Sequence, residues 1–353
     1  MSDSTINKLP IKILLCGLGG WGLTWLKNIR ENKNYKLVGV VEKDLDRLNK
    51  MKIEYNIAEN ICFVDIEEAI DALKPDAVAV IVSPDRHGEI IKVAIKKGIH
   101  ILSENPLAKD IKEVKDFLNL HKKYPGVRFI VNQNYRGRSS IATIKKIIES
   151  GEIGELGFFV YIHSQTCKIP GYRLEIASPL VDDMLIHHVD LIRYFTNQDF
   201  IEIYAKEEAV SWSWFKGKPI LYANIKMNNM ISGIYCASWV SEGKLASWNG
   251  NIQIYGSDGC IELTDDEKVI IYKKHKLDKS LLGTVAPGKE VDKIRLENTE
   301  LQYTLENFKN ALINNKKCET DIEDNIKSFM AVLAAKESIK FRKPVTITSL
   351  GIV

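Results

Sequence analysis

A cluster of glycines near the start of the chain is the sequence feature that most restricts its fold. Residues Ile11–Cys16 are apolar, and apolar residues recur at helical spacing over residues 23–30. The glycine turn between them contains Gly17, Gly19, Gly20, Trp21 and Gly22. A Gly-x-Gly-x-x-Gly motif between a strand and a helix is typical of dinucleotide binding, because the glycines allow a tight turn and the helix N-terminus attracts a pyrophosphate.

An acidic residue follows the glycine turn at the distance that NAD-binding domains use. Glu42 comes after the predicted strand 36–41, about 20 residues beyond Gly22. Its carboxylate can accept hydrogen bonds from the ribose hydroxyls of NAD and repels the 2′-phosphate of NADP, although the neighbouring Lys43 weakens that repulsion. The sequence therefore predicts NAD as the cofactor, with NADP as the alternative. The other interpretation is an ordinary turn followed by a solvated Glu42.

The first part of the chain alternates short apolar runs with amphipathic segments. The predicted strands are residues 11–16, 36–41, 61–64, 77–82, 99–102 and 128–131. The predicted helices are residues 23–30, 45–50 (with Asp44 as N-cap), 66–73, 86–97 and 111–122. This α/β alternation predicts a doubly wound parallel sheet with helices on both faces, the Rossmann architecture.

From residue 132 onward, the pattern predicts an α+β domain with a large, mostly antiparallel, open-faced sheet. The predicted strands are residues 158–163, 201–209, 220–227, 231–239, 251–255, 260–263 and 269–272, with helices 141–150 and 180–195 packed on one side. Residues 274–292 are predicted to be a loop, and helices 301–314 and 322–340 follow. We expect a Rossmann domain at 1–131 and a substrate-binding and oligomerisation domain at 132–353, whose final helices can pack back on the first domain.

Composition excludes several classes of function. The 49 basic and 46 acidic residues leave a net charge of +3, without the basic surface that nucleic-acid binding needs. The apolar runs are too short to span a membrane, and from the polar residues 1–12 we expect no signal peptide. The six cysteines show no metal-binding spacing, so we expect a cytoplasmic protein without a metal site.

Several motifs in a consistent order make the chain resemble the glucose–fructose oxidoreductase / inositol dehydrogenase (Gfo/Idh/MocA) family over nearly its whole length. The motifs are Ser103-Glu-Asn-Pro-Leu107, Ser150-Gly-Glu-Ile-Gly-Glu155, Asp183-Met-Leu-Ile-His187-His-Val-Asp190, Ile254-Tyr-Gly-Ser-Asp-Gly259, Glu306-Asn-Phe308 and Cys318-Glu-Thr-Asp321. The resemblance implies NAD(P)-dependent oxidation or reduction of a sugar or polyol hydroxyl, in a cleft between the two domains. It also implies a homo-oligomer, dimer or tetramer, formed through the open face of the second-domain sheet.

The resemblance assigns catalysis to His187, Asp183 and the residue at position 105. Asp183 and His187 are spaced i, i+4, so on an α-helix the carboxylate can orient the imidazole that takes the proton of the substrate hydroxyl. An acid near a helix start and a buried histidine would be the purely structural interpretation. The family carries a lysine where this chain has Asn105, whose amide cannot act as a base. Leu185 also replaces a family glycine.

The remaining predicted site residues lie in the loops that follow the strands. The predicted cofactor contacts beyond the glycine turn and Glu42 are Ser83, Pro84, His87, Glu104, Asn105 and Asn132. The predicted substrate contacts are Asn134, Tyr135, Arg136, Lys168, Tyr172, Arg173, Asp183, His187 and His188. Donor-rich side chains suit a polyhydroxyl ligand, although loops are commonly polar and His188 can instead be structural.

Asn105 leaves two alternatives to a dehydrogenase open. One is a glycoside hydrolase that uses NAD for transient oxidation, as found in this family. The other is a nucleotide- or sugar-sensing protein that has kept the fold and lost the chemistry.

Overall fold

The computed structural model describes residues 9–168, 171–274, 287–314 and 317–351, and the chain divides into two compact units. The first unit contains the chain up to Asn134 together with Asn298–Ile326. The second contains Tyr135–Glu297 and the chain from Lys327 onward. The chain thus crosses from the first unit to the second after Asn134, and Asn298–Ile326 returns to the first unit.

The first unit is built on a parallel sheet. Its elements up to Asn134 are β1 (Ile11–Cys16), α1 (Gly20–Glu31), β2 (Tyr35–Val41), α2 (Leu45–Glu54), β3 (Cys62–Phe63), α3 (Ile66–Leu73), β4 (Ala77–Val80), α4 (Pro84–Lys96), β5 (His100–Ser103), α5 (Ile111–Lys123) and β6 (Phe129–Val131). Within the described chain the sheet has six strands in the order β3-β2-β1-β4-β5-β6. This confirms the predicted Rossmann architecture, in which ligands gather at the carboxyl ends of the strands near the β1–β4 switch point.

Aspartate caps explain where three of these helices begin. The side chain of Asp44 accepts a hydrogen bond from the backbone N–H of Arg47, as predicted for the start of α2. Asp65 and Asp110 cap α3 and α5 in the same way. Each cap satisfies backbone donors that the helix itself leaves unpaired.

The rest of the chain forms the second sheet and four further α-helices. In chain order these elements are α6 (Ser139–Glu149), β7 (Leu156–Ser164), α7 (Leu185–Thr196), β8 (Phe200–Glu208), β9 (Ile220–Met227), β10 (Ser232–Ser238), β11 (Asn251–Gly256), β12 (Gly259–Leu263), β13 (Val269–Lys273), β14 (Lys289–Val291), α8 (Glu300–Ile313), α9 (Ile322–Phe341) and β15 (Val345–Thr346). Counting described residues only, the sheet has nine strands in the order β14-β13-β12-β11-β7-β10-β9-β8-β15.

One face of the second sheet is buried and the other is open. Side chains of β7 to β13 join residues of α6 and α7 in one apolar core. On the opposite face, Phe158, Ile162, Tyr222 and Ile234 are exposed. The mostly antiparallel, open-faced sheet is therefore as predicted, with one exception to the antiparallel pattern: β7 and β10 run parallel.

Two predicted segments differ in the structure. The helix predicted over residues 180–195 begins as a π-helical turn, Leu180–Met184, before α7 continues it. The loop predicted over 274–292 contains the short strand β14, and its residues 275–286 lie outside the described residues. β15, which pairs with β8, was not predicted because two residues carry too little periodicity.

Helix α8 packs in the first unit through its apolar face. Leu301, Leu305 and Phe308 belong to the same buried cluster as Ile13 of β1 and Trp25 of α1. This packing explains why the chain re-enters the first unit after residue 297. No helix of the described residues is both long and apolar enough to cross a membrane.

Candidate functional site

Two positions of the glycine turn accept only glycine. Gly17 has a φ of +103°, and a Cβ there would lie 2.1 Å from the carbonyl oxygen of Ile81. A Cβ on Gly22 would lie 2.2 Å from the carbonyl oxygen of Gly17. These contacts bring the start of α1 close to β1 and to the end of β4, as the dinucleotide motif requires.

The other two glycines keep the space in front of α1 open. No described atom outside the adjoining backbone lies within 4 Å of a Cβ built on Gly19 or Gly20. α1 begins at Gly20 and has no acidic residue in its first turn, so its N-terminal N–H groups and positive dipole end can attract an anion. The turn therefore fits the pyrophosphate of NAD.

Glu42 lies against the glycine turn at the end of β2. Its Oε2 accepts a hydrogen bond from the backbone N–H of Leu18 at 2.9 Å, and its Oε1 accepts one from the backbone N–H of Asp44 at 3.1 Å. Arg47 approaches Oε2 at 3.4 Å. The carboxylate is held in place by these contacts and keeps acceptor capacity for ribose hydroxyls, since each oxygen can accept more than one bond.

Four donors surround the buried carboxylate of Glu104, which follows β5. Its Oε1 accepts hydrogen bonds from the indole N–H groups of Trp21 and Trp25, each at 2.6 Å, and from Asn132 Nδ2 at 2.8 Å. Its Oε2 accepts one from the backbone N–H of Asn105 at 3.2 Å. Burial raises the pKa of Glu104, while these hydrogen bonds oppose the rise.

Three of the predicted cofactor contacts are buried and bonded to other groups of the protein. Glu104 faces protein donors and fastens α1 to the end of β5. Asn132 is fully buried, and its Oδ1 accepts a hydrogen bond from Thr304 of α8. His87 is also fully buried, with Nε2 at 3.0 Å from the carbonyl oxygen of Val82, and burial lowers its pKa.

Asn105, Trp21, Ser83 and Pro84 remain accessible. The amide of Asn105 donates a hydrogen bond to the carbonyl oxygen of Asn132 at 2.9 Å, which fixes its orientation. Ser83 and Pro84 are exposed at the start of α4. Trp21 is 48% exposed although its N–H is bonded, so one side of its ring is open to a ligand.

His187 lies on α7 in the second unit, stacked against Tyr135. The ring centroids are 4.4 Å apart, and the planes differ by 12°. Its Nδ1 is buried, with no hydrogen-bond partner among the described residues. Burial, together with the charge of Arg138, lowers the pKa of His187 to about 4, and the charge of Asp190 opposes this fall. The imidazole is therefore neutral at physiological pH.

Asp183 does not orient His187 as the i, i+4 spacing predicted. Its carboxylate pairs with Arg173, through Nε to Oδ2 and through Nη2 to Oδ1 at 3.4 Å. The reason is that Asp183 belongs to the π-helical turn, whose i, i+5 geometry breaks the α-helical alignment of residues four apart. The two predicted site residues Arg173 and Asp183 therefore pair with each other.

Two predicted substrate contacts are buried and bonded to other protein groups. Arg136 forms a bidentate ion pair with Asp190, with both N···O distances 2.7 Å. His188 is fully buried, with Nδ1 at 2.8 Å from the hydroxyl of Tyr235.

The other predicted substrate contacts lie in different surroundings. Lys168 is exposed and pairs with Glu242 at 3.4 Å. Asn134 and Tyr135 lie in the turn after β6 and are mostly buried. The side chain of Tyr172 lies outside the described part of the chain.

Trp25 and Arg138 are two site residues that the sequence analysis missed. The spacing of Trp21 and Trp25, four residues apart on one helix, is a signal that could have paired them. Nothing in the sequence marks Arg138, whose guanidinium is held between nearby Tyr135 and distant Asn249. Among the residues that the structure describes, no three His, Cys, Asp or Glu side chains are placed to hold a metal ion.

Profiles of two protein-family domains match the chain. An oxidoreductase family with an NAD-binding Rossmann fold matches residues 11–133, and the GFO/IDH/MocA C-terminal domain matches residues 141–262. The first unit is therefore an NAD-binding domain, in agreement with the open glycine turn.

The curated relatives include proteins of known and unknown activity. The chain is 21% identical to the uncharacterized protein y4oX of Sinorhizobium fredii over 96% of both chains. It is 25% identical to the myo-inositol 2-dehydrogenase of Thermotoga maritima, over 55% of this chain and 58% of that one. The match to that dehydrogenase thus covers little more than half of its length.

Solved structures share the fold over almost the whole chain. An oxidoreductase from Agrobacterium radiobacter, in complex with NAD+, L-tartaric acid and magnesium, has a TM-score of 0.85 at 18% identity, covering 97% of this chain and 99% of that one. The aldose-aldose oxidoreductase of Caulobacter crescentus, complexed with glycerol, has a TM-score of 0.80 at 16% identity, covering 95% and 99%. At these identities the likeness establishes the fold alone.

Proposed function

Because the chain belongs to the Gfo/Idh/MocA family of oxidoreductases, we propose that it transfers hydride between NAD and a hydroxyl of a sugar or polyol, with His187 as the proton acceptor. The observation that supports this role is the state of His187: a neutral imidazole on the helix that carries the family motif. A proton must leave the hydroxyl as it is oxidised, so a base must lie within hydrogen-bond reach of it.

The first unit supplies the cofactor residues. The open space before α1 receives the pyrophosphate, and Glu42 accepts the ribose hydroxyls, which favours NAD over NADP. Bound NAD supplies the two-electron acceptor that the side chains themselves lack. Glu104 holds Trp21, and with it the first turn of α1, in position.

The second unit supplies the proton acceptor. His187 is unprotonated at neutral pH because burial lowers its pKa to about 4, so it is ready to accept a proton. Asp183 and Arg173 neutralise each other beside this helix, and Lys168 is paired with Glu242. This balance of charges favours a neutral, hydroxyl-rich substrate over a strongly anionic one.

The test is a panel of sugars and polyols assayed for NADH by absorbance. We expect turnover with at least one of them, and a loss of about a hundredfold or more in kcat in His187→Ala. Calorimetry should show that this variant binds NAD as the wild type does, because position 187 lies outside the cofactor domain. Lys273→Ala, which removes an exposed ion pair between β13 and Glu152, is the control for general damage. NAD binding without turnover on a broad panel would contradict the proposal.

Asn105 favours a second candidate, a sensor that binds nucleotide and sugar without turning them over. Its amide carries no charge and cannot take up a proton, so the family lysine has no chemical equivalent at this position. If the protein is a sensor, Asn105→Lys should create turnover that the wild type lacks. Clear turnover by the wild type would exclude this candidate, and release of a chromogenic aglycone without net NADH would indicate glycoside hydrolysis instead.

The open face of the second sheet supports a homo-oligomer. Phe158, Ile162, Tyr222 and Ile234 form an exposed apolar patch of the kind that subunit contacts cover. We expect light scattering to give a multiple of the 40.0 kDa chain mass, reduced to one chain in Ile234→Glu. A wild type that is monomeric at micromolar concentration would refute this part of the proposal.

A further inference from the structure

Arg138, Tyr135 and His187 form a three-membered stack in the second unit. The guanidinium carbon of Arg138 lies 3.5 Å from the centroid of the Tyr135 ring, and the imidazole centroid of His187 lies 4.4 Å from the same centroid. Two groups at these distances would collide on one face of the ring, so Tyr135 lies between them. The guanidinium is therefore within about 8 Å of the imidazole.

The stack is fixed at its arginine end. Nη1 of Arg138 donates a hydrogen bond to Oδ1 of Asn249 at 2.7 Å. Asn249 is almost fully buried, and its own amide donates to Glu267 at 2.9 Å. A guanidinium held by a buried amide keeps a constant distance from His187, unlike the end of a solvated side chain.

The other charged groups near His187 are balanced by partners of their own. Asp190 favours the protonated imidazole, but its carboxylate is bound by Arg136 and by the hydroxyl of Ser328 at 3.0 Å. His188 adds no charge at neutral pH, because burial holds its pKa well below the usual value. Among the described residues that act on His187, Arg138 opposes protonation with a permanent charge.

We propose that Arg138 is a positioning residue for the proton acceptor: through the ring of Tyr135 it fixes the plane of the imidazole, and its charge extends to lower pH the range in which that imidazole is unprotonated. The inference rests on the proposed role of His187. A ring held neutral can accept the proton of a substrate hydroxyl throughout the range above about pH 5, and it releases that proton readily to solvent afterwards. The acid side of the pH profile is then set by burial of the imidazole and, on top of it, by the charge of Arg138.

The test is the titration of His187 followed by NMR of protein labelled with [13C]histidine. The His187→Gln variant identifies the resonance. Removing one unit charge at about 8 Å, at an effective dielectric constant of about 20, raises the midpoint by about 1.5 pH units. At about pH 5 the wild type should then have roughly a tenth of His187 protonated, and Arg138→Gln about three-quarters.

Two controls accompany the titration. Arg138→Lys keeps the charge, so its midpoint should stay within about half a pH unit of the wild type. His163 is an internal reference, because burial lowers its pKa to about 4 without a contribution from Arg138, and its midpoint should not move in either variant. Arg138→Met removes the charge but keeps the apolar stem, and it replaces the glutamine variant if that variant does not fold.

The outcomes separate this inference from the proposed function. An unchanged midpoint of His187 in Arg138→Gln or Arg138→Met overturns the inference, whether or not the enzyme is active. An equal rise for His187 and His163 also overturns it, because it shows general loosening of the domain. A selective rise supports it, and the acid limb of kcat/KM should then move upward by the same amount. If no substrate is turned over, the proposed function fails while the titration still decides the role of Arg138.

Discussion

Glu207 provides a quantitative test of the electrostatics of the second unit. This residue of β8 is only 7% exposed; its Oε2 accepts a hydrogen bond from the hydroxyl of Ser178 at 2.9 Å. Its Oε1 is buried, with no partner among the described residues. Burial raises the pKa of Glu207 to about 7, the charge of Asp182 adds to the rise, and Lys218 and Lys336 oppose it.

The raised pKa translates into a stability that depends on pH. Below the ordinary value of 4.5, the carboxyl is protonated in the folded and unfolded states, and folding loses nothing. As the pH rises from 4.5 to about 7, the unfolded state ionises while the folded state does not, so stability falls. The difference of about 2.5 pH units corresponds to about 3 kcal/mol, which is lost in full above the folded pKa.

The assay compares Glu207→Gln with the wild type by urea unfolding, followed by tryptophan emission at about pH 5 and about pH 8. The glutamine cannot ionise, so the variant should gain about 2 to 3 kcal/mol relative to the wild type on going from the lower to the higher pH. Buried histidines destabilise both proteins equally at acid pH and cancel in the comparison. Glu208→Gln, at the exposed neighbouring position, is the matched control and should show no such gain.

Equal pH dependence in the wild type and Glu207→Gln would refute this reasoning. That result would mean that the carboxylate is hydrated or paired when the protein is folded, so that burial does not raise its pKa. A gain of the same size in Glu208→Gln would also refute it, because the effect would then follow from net charge.

Three further predictions concern the cofactor domain. Gly22→Ala should lower Tm by several degrees and abolish NAD binding in calorimetry, because the added Cβ would lie 2.2 Å from a backbone oxygen. Gly20→Ala adds a Cβ in open space and should leave Tm unchanged. Equal Tm values for the two variants would contradict the reasoning. Glu104→Gln should lower the free energy of unfolding by about 1 to 3 kcal/mol, because it replaces one carboxylate oxygen with an amide donor that faces other donors. The tryptophan emission should shift as well, since both indole N–H groups bond to this carboxylate. An unchanged emission spectrum would show that Trp21 and Trp25 do not bind it. Glu42→Gln should weaken NAD about tenfold in calorimetry and reduce the preference over NADP, and an unaltered ratio of the two dissociation constants would remove Glu42 from cofactor selection.

The Rossmann half of the fold was predictable because its signals are local. Continuous apolar runs mark strands buried on both faces, and residues such as Asp44 mark helix starts in the sequence itself. All six predicted strands of the first sheet are confirmed, with ends that differ by a few residues. The glycine turn was also predictable from the sequence, because Gly17 and Gly22 are required by close backbone contacts within the motif and with the residue after β4.

The parts that sequence reasoning did not predict depend on distant contacts. Glu104 bonds to Trp21 and Trp25, some 80 residues earlier in the chain. The π-helical turn at Asp183 separates an acid and a histidine that an ideal helix would align. Arg138 acquires its position partly from Asn249, 111 residues later in the chain, and that contact leaves no periodic pattern. Such arrangements are set by packing, which spacing along the chain does not reveal.

The return of Asn298–Ile326 to the first unit has a consequence for synthesis of the chain. Leu301, Leu305 and Phe308 complete a core that begins with β1, so about 300 residues must be made before that core can close. Until then, the apolar groups that α8 will cover stay open to water on the ribosome. A fragment ending at Asn134 would keep the nucleotide motif but expose the same groups, and we expect it to aggregate unless α8 is supplied.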